Sequence, residues 1–240
     1  MNEVGVVAAL AAEARSLGFS KPQPDGTVRL GDGTLVMVSG MGMAGAQAAA
    51  HSLLEAGARA LMSFGLAGGL DPGLRAGSII LPTEVVAADG ERFVTSIHWR
   101  ESLGAALATQ CRLTSGRLLT SARPIDTVAA KAAAFTRTGA VAVDMESAAV
   151  GRAAAERDVP FVAVRAIVDT ALDELPPAVI AASVDGKVRL LRLVRGLAMA
   201  PGELPALLRL VQRYRAALRS LSSVGEARRL TQFQAAVRIT

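Results

Sequence analysis

The chain has 240 residues, 51% hydrophobic and 20% charged, which supplies ample material for a core and excludes a disordered or fibrous polymer. One cysteine, Cys111, and two histidines, His51 and His98, exclude an internal disulfide and a tetrahedral Cys/His metal site, so a reducing compartment and metal-free chemistry are expected. The net charge of +5 is unevenly placed: between Lys187 and Arg229 ten Lys/Arg stand against two acids, while the remainder is net acidic, which argues against nucleic-acid binding through the main fold.

The N-terminus enters an apolar run too short to span a membrane and carries no basic leader, so a cytoplasmic location is expected. Residues 4–8 read as a strand and 9–17 as a helix. Two β segments, 27–30 and 34–38, are joined by Gly31-Asp32-Gly33, a hairpin signal. Ser39-Gly40-Met41-Gly42 leads into an alanine-rich helix that runs to about Ala56. Residues 59–64 read as a buried strand that stops at Gly65-Leu66-Ala67-Gly68-Gly69, and 77–82 as the start of another. A strand over 117–120, a helix over 127–135, a strand over 140–143, a helix over 146–157 and a strong central strand over 160–167 follow.

From about Pro176 the pattern is helical, with a break at Pro201-Gly202. Leu204, Leu207, Leu208, Val211, Tyr214, Leu218 and Leu221 recur at helical spacing, with Arg209, Arg213 and Arg219 mostly on another face. Arg189, Arg192 and Arg195 repeat every third residue upstream. Packing on the sheet or on a partner subunit, with arginines left in water, is one reading of these helices; a basic amphipathic surface on anionic lipid is the other.

Short apolar strands alternating with helices imply an α/β fold. The expectation is a single domain, residues 1–240, with a mixed, mostly parallel twisted sheet flanked by helices and a basic helical C-terminal part over 176–225. Ligands of such sheets sit beyond the carboxyl ends of the strands. Glu13 follows the first strand there, either as a solvent-facing charge suited to a helix dipole or as a carboxylate that orients a nucleophilic water. Gly40-Met41-Gly42 and the segment holding Ala67 and Gly68 let backbone N–H groups approach an anion or a flat ring, or simply make turns. Neither matches a dinucleotide or P-loop fingerprint.

Val143-Asp144-Met145-Glu146-Ser147 and Val164-Arg165-Ala166-Ile167-Val168-Asp169 are richer. Arg165 and Asp169 read either as an ion pair closing a strand or as part of a site in which Asp169, beside apolar groups, is a general acid. Glu146 reads as a capping acid or as an acceptor for sugar hydroxyls.

Together these segments resemble the methylthioadenosine/S-adenosylhomocysteine nucleosidase and purine nucleoside phosphorylase superfamily, from Val4 to about Ala171. The pairing of Met145-Glu146 with the downstream Val-Arg165-Ala-Ile-x-Asp169 is the most specific part, and the opening strand, Gly-Met-Gly and Gly-x-Ala-Gly-Gly fall in the matching order. Within it the overall look of the chain, including the C-terminal helices, resembles the hopanoid-biosynthesis-associated phosphorylases. The resemblance implies cleavage of a purine–ribose bond: Asp169 protonating N7, Met145 and Glu146 against the ribose, and Glu13 and Arg165 flanking the nucleophile.

The chain departs from the nucleosidase pattern at Leu66 and Val168, each in place of a serine, and at Pro124, where an aromatic usually stacks on adenine; the Ile125 backbone is a candidate to recognise the base instead. These changes point from a small soluble substrate to a lipid-linked nucleoside, with adenosylhopane as the expected substrate and methylthioadenosine, adenosylhomocysteine or futalosine as alternatives. A non-catalytic nucleoside-binding protein is the third reading. No cofactor is expected, phosphate being at most a co-substrate. A homo-oligomer and peripheral contact with the inner face of the membrane through the basic helices complete the expectations.

Overall fold

Strand β4 (Ala58–Gly69) is the axis on which the sheet is built, because it pairs on both edges and with two groups of strands in succession. The computed structural model describes residues 3–18, 26–174, 183–184, 187–188 and 204–230. Along its first part β4 lies parallel to β1 (Glu3–Ala8) on one side and to β11 (Phe161–Ile167) on the other. β1 continues to β3 (Leu35–Val38), which closes an antiparallel hairpin with β2 (Thr27–Arg29). β11 continues to β5 (Ile79–Ile80) and β8 (Leu113–Thr114).

At Gly68 and Gly69 the same strand pairs antiparallel with β10 (Ala140–Asp144), which leads through β9 (Arg117–Thr120) and β6 (Glu84–Ala87) to β7 (Arg92–Val94). The expected strand end at Gly65 is therefore corrected: the glycine run continues the strand, and lacking Cβ atoms it accommodates close neighbours while changing pairing partner. The mixed, mostly parallel sheet with helices on its faces is the architecture expected from the alternating pattern.

Two-residue alternation distributes the strands between two cores. Val4, Val6 and Ala8 of β1 and Val162, Val164 and Ala166 of β11 meet α1 (Ala11–Ser16), α3 (Ile97–Leu107) and α6 (Leu204–Leu230) through Ala14, Leu17, Trp99, Leu103, Ala217, Leu221 and Val224. Val7, Leu61, Phe161, Ala163 and Ile167 face α2 (Met43–Glu55) and α5 (Ser147–Glu156), which pack on each other with Ala46, Ala49, Ala50, Ala148, Ala149 and Ala153 inside. The abundant alanine is thus spent on close helix–sheet approach. α4 (Val128–Thr138) starts at Thr127, whose side chain accepts from Ala130 N–H at 3.2 Å, and covers β10.

The helical reading of 176–225 needs one correction. Residues 183–184 (β12) and 187–188 (β13) pair antiparallel, so this stretch holds a strand pair where helical periodicity was expected. The Pro201-Gly202 break and Arg189, Arg192 and Arg195 lie outside the described residues. α6 packs on α1 and α3 through its C-terminal half, and its N-terminal half reaches over the carboxyl ends of the strands. β6, β7 and α3, between Pro82 and Gly116, had no counterpart in the sequence pattern.

Candidate active site

Beyond the carboxyl ends of β1, β4, β10 and β11 lies a cavity of about 400 Å³. Glu13, Leu66, Ala67, Gly68, Asp144, Met145, Glu146 and Asp169 line its inner end, Arg123, Pro124 and Ile125 one side, and Leu207, Leu210, Val211 and Tyr214 of α6 the other. Its size and mostly apolar wall with a few convergent polar groups suit a small organic ligand.

Glu13 is 3% exposed, which excludes the solvent-facing reading. It sits in the first turn of α1, where its Oε2 accepts from Leu10 N–H at 2.8 Å, the back-reaching half of a capping box. Its Oε1 accepts from Leu66 N–H at 3.0 Å. Burial raises its pKa against the opposing pull of Arg165 and these N–H groups. A Cβ at residue 65 would stand 2.7 Å from Oε1, so Gly65 exists in β4 to admit this carboxylate.

Arg165 and Asp169 do not pair. Arg165, buried on β11, gives Nε to Asp144 Oδ2 at 2.8 Å and Nη2 to the same oxygen at 2.7 Å and to Ser63 Oγ at 2.6 Å. Thr120 Oγ1 and Ser147 N–H also donate to Asp144, at 2.7 and 3.0 Å. Arg165 consequently stands behind Asp144 rather than on the cavity wall. Glu146 takes Gly42 N–H at 2.8 Å and Met145 N–H at 3.3 Å. Gly42 is at φ +98°, a backbone conformation that a side chain would strain. Burial, then the charge of Asp144, raise Glu146 to a pKa of about 7.

Asp169 takes its partner from another element. The ammonium of Lys131, on α4 and with no exposed surface, donates to Asp169 Oδ2, to Thr170 O at 2.8 Å and to Asp173 O at 2.9 Å. Burial raises the pKa of Asp169, with Lys131 pulling against it. A Cβ at Gly68 would come within 3.1 Å of Oδ2. The glycines of β4 thus give room to two carboxylates, Glu13 and Asp169.

A family model described as the phosphorylase superfamily matches residues 26–196. The chain belongs to the phosphorylase superfamily. Its fold also resembles solved nucleosidases at low identity. The 5′-methylthioadenosine/S-adenosylhomocysteine nucleosidase of Neisseria meningitidis, in complex with methylthio-immucillin-A, is 22% identical with a TM-score of 0.67, over 95% of this chain and 98% of that one. The corresponding Helicobacter pylori enzyme with butyl-thio-DADMe-Immucillin-A is 17% identical, TM-score 0.67, over 94% and 98%. The futalosine hydrolase of Helicobacter pylori is 16% identical, TM-score 0.67, over 94% and 97%.

In this phosphorylase-superfamily member Glu13, Met145, Glu146, Asp169, Ala67, Gly68 and Ile125 share one cavity wall. Gly42 supports Glu146 and Arg165 supports Asp144. Sequence reasoning gave no site role to Asp144, Ser63 or Lys131, and read Tyr214 only as part of an apolar helix face. Lys131 carried a legible signal, a lone cation among Val128, the surrounding alanines and Phe135 in a chain with three lysines. Asp144 stands in the Val143–Ser147 segment, but its partner Arg165 is on β11, with β4 between the two strands. Among the described residues no group of three or more His, Cys, Asp or Glu side chains is placed to hold a metal ion.

Proposed function

We propose that the protein is an adenine-releasing nucleosidase that hydrolyses the N-glycosidic bond of an adenosine bearing an apolar 5′ group, with adenosylhopane as its substrate. The observation that carries the reading is one cavity holding a buried Asp169, its pKa raised by burial, together with Glu13 and Glu146. Asp169 gives its proton to N7 of the base. The C1′–N9 bond breaks with its electron pair moving onto the purine, Glu146 holds the ribose hydroxyls, and water oriented by Glu13 adds to C1′ and loses a proton.

Water suits this site better than phosphate. Glu13, Asp144 and Glu146 line its inner end, where a phosphate dianion would meet like charge; the Arg165 guanidinium behind them is already engaged by Asp144 and Ser63, and Arg123 lies on the side wall. The apolar 5′ group is supported by the α6 wall of Leu207, Leu210 and Val211, and by Leu172 and Leu208, 71% and 55% exposed, on the segments joined by the Arg213–Asp173 pair. The second reading is a nucleosidase of methylthioadenosine, adenosylhomocysteine or futalosine, favoured by the fold shared with enzymes that bear those names.

Adenine release from adenosylhopane, methylthioadenosine and adenosylhomocysteine, each with and without phosphate, separates these readings, with base release from futalosine assayed in parallel. The expected result is highest kcat/KM on adenosylhopane, a free reducing sugar, and no phosphate effect. A ribose 1-phosphate product overturns hydrolysis, and highest kcat/KM on a soluble nucleoside overturns the lipid substrate. Binding without base release from any of them leaves the nucleoside-binding protein.

No helix among the described residues is long and apolar enough to cross a membrane. Peripheral contact belongs to the same proposal: Leu208 and Arg209, both exposed on α6, would rest on anionic lipid. The chain is expected to float with vesicles rich in anionic lipid and Leu208→Glu/Arg209→Glu to stay behind; equal flotation of both rejects this contact.

A further inference from the structure

We propose that Lys131 is a positioning residue for the proton transfer: its ammonium fixes Asp169 Oδ2 and balances the negative charge Asp169 acquires on protonating the leaving base. This rests on the nucleosidase reading and deepens it.

Three acceptors surround Lys131 Nζ: Asp169 Oδ2, Thr170 O and Asp173 O. Three is the full donor capacity of an ammonium, so the group is held at three points and cannot swing away. With Oδ2 accepting from Lys131, Oδ1 is the oxygen left to deliver the proton in the proposed step. A structural tie between α4 and the end of β11 does not require this arrangement. Burying an ammonium carries a desolvation cost of several kcal/mol, whereas an apolar side chain of similar volume would join the same elements without it. What an apolar residue does not supply is positive charge in contact with the carboxyl group.

Among the described residues, Asp173 in its own loop, paired at 2.5 Å with Arg213 on α6, is the other charge that acts on Asp169, and Glu13, Asp144, Glu146 and Arg123 line the same cavity. β4 and β10 present Gly68 and Val143.

Asp169 Oδ1–H passes its proton to the base as the C1′–N9 pair moves onto the purine; Lys131 keeps all its protons. The step adds a negative charge to Asp169 beside the Lys131 ammonium. After the base leaves, Asp169 recovers a proton from water.

The test uses the full chain and the nucleoside it cleaves, comparing Lys131→Met, Lys131→Gln, Asp169→Asn and the double variant Lys131→Met/Asp169→Asn. Lys131→Met is expected to lower kcat roughly 10²-fold, the scale of general-acid catalysis, with KM changing far less. The basic limb of the kcat/KM profile, which reports loss of the Asp169 proton, should move up by about one pH unit, because removing a neighbouring cation makes the acid harder to ionise. Lys131→Gln keeps a donor for the carbonyls without the charge, should show the same limb shift, and carries the test if the Met variant does not fold. The double variant should be no slower than Asp169→Asn alone.

A basic limb that stays put in both Lys131 variants, or a loss confined to KM, overturns the proposal. The two readings fail differently. Turnover at the wild-type rate by Asp169→Asn removes the nucleosidase mechanism itself. An inactive Asp169→Asn beside unaltered Lys131 variants removes only the role of Lys131.

Discussion

At the scale of single residues, the site is defined by which carboxylates are buried and what is left out to make room for them. Gly65 and Gly68 matter for atoms that are absent, since a Cβ at either position meets Glu13 or Asp169. Gly65→Ala is therefore expected to displace the Glu13 carboxylate and break its bond with Leu66 N–H. Displacements of about 1 Å near reacting atoms cost on the order of 10²-fold in rate. We expect kcat to fall by that order in steady-state assays; wild-type kcat in a folded Gly65→Ala protein would mean that Glu13 is not part of the chemistry.

At the scale of elements, α6 has two jobs. Ala217, Leu221 and Val224 anchor its C-terminal half in the core, and Leu207, Leu210, Val211 and Tyr214 wall the cavity. Arg213, between these halves, binds Asp173, whose Oδ2 also accepts from Thr170 N–H at 2.9 Å and Oγ1 at 2.7 Å. The helix thus fastens the loop that follows Asp169. Arg213→Ala is expected to raise KM several-fold by loosening that wall. Because the pair is partly solvated, its loss should cost only about 1 kcal/mol or less in thermal unfolding. A large drop in Tm with unchanged KM would make the pair purely structural.

At the scale of the whole molecule, Glu13, Glu146 and Asp169 share a direction: burial raises all three. A carboxyl group whose folded pKa is raised binds its proton more tightly folded than unfolded. Its stabilising contribution is complete below the unfolded value and is lost as pH climbs through the folded one. For Glu146 that window runs from the ordinary value of 4.5 to about 7. Thermal unfolding of Glu146→Gln should show a flatter loss of stability across this window and a Tm a few degrees above wild type at pH 8, alongside reduced turnover. Matching pH slopes in variant and wild type would place the charge cost elsewhere.

Much of this was legible in the chain because it is local. Short apolar runs placed β1, β9, β10 and β11, the Gly-Asp-Gly joint closed the β2–β3 hairpin, and Met145-Glu146 with Arg165 and Asp169 marked the strand ends beside the cavity. The partners of the charged groups were not legible. Spacing made Arg165 and Asp169 look like a pair, yet Arg165 turns to Asp144 on the side of the sheet set by β11 alternation, and Asp169 meets Lys131 from α4. Nor did the glycine run announce that it stays within β4. Periodicity is a property of neighbouring residues, whereas ion pairing and the room for a carboxylate depend on which strands lie side by side, and only the tertiary fold decides that.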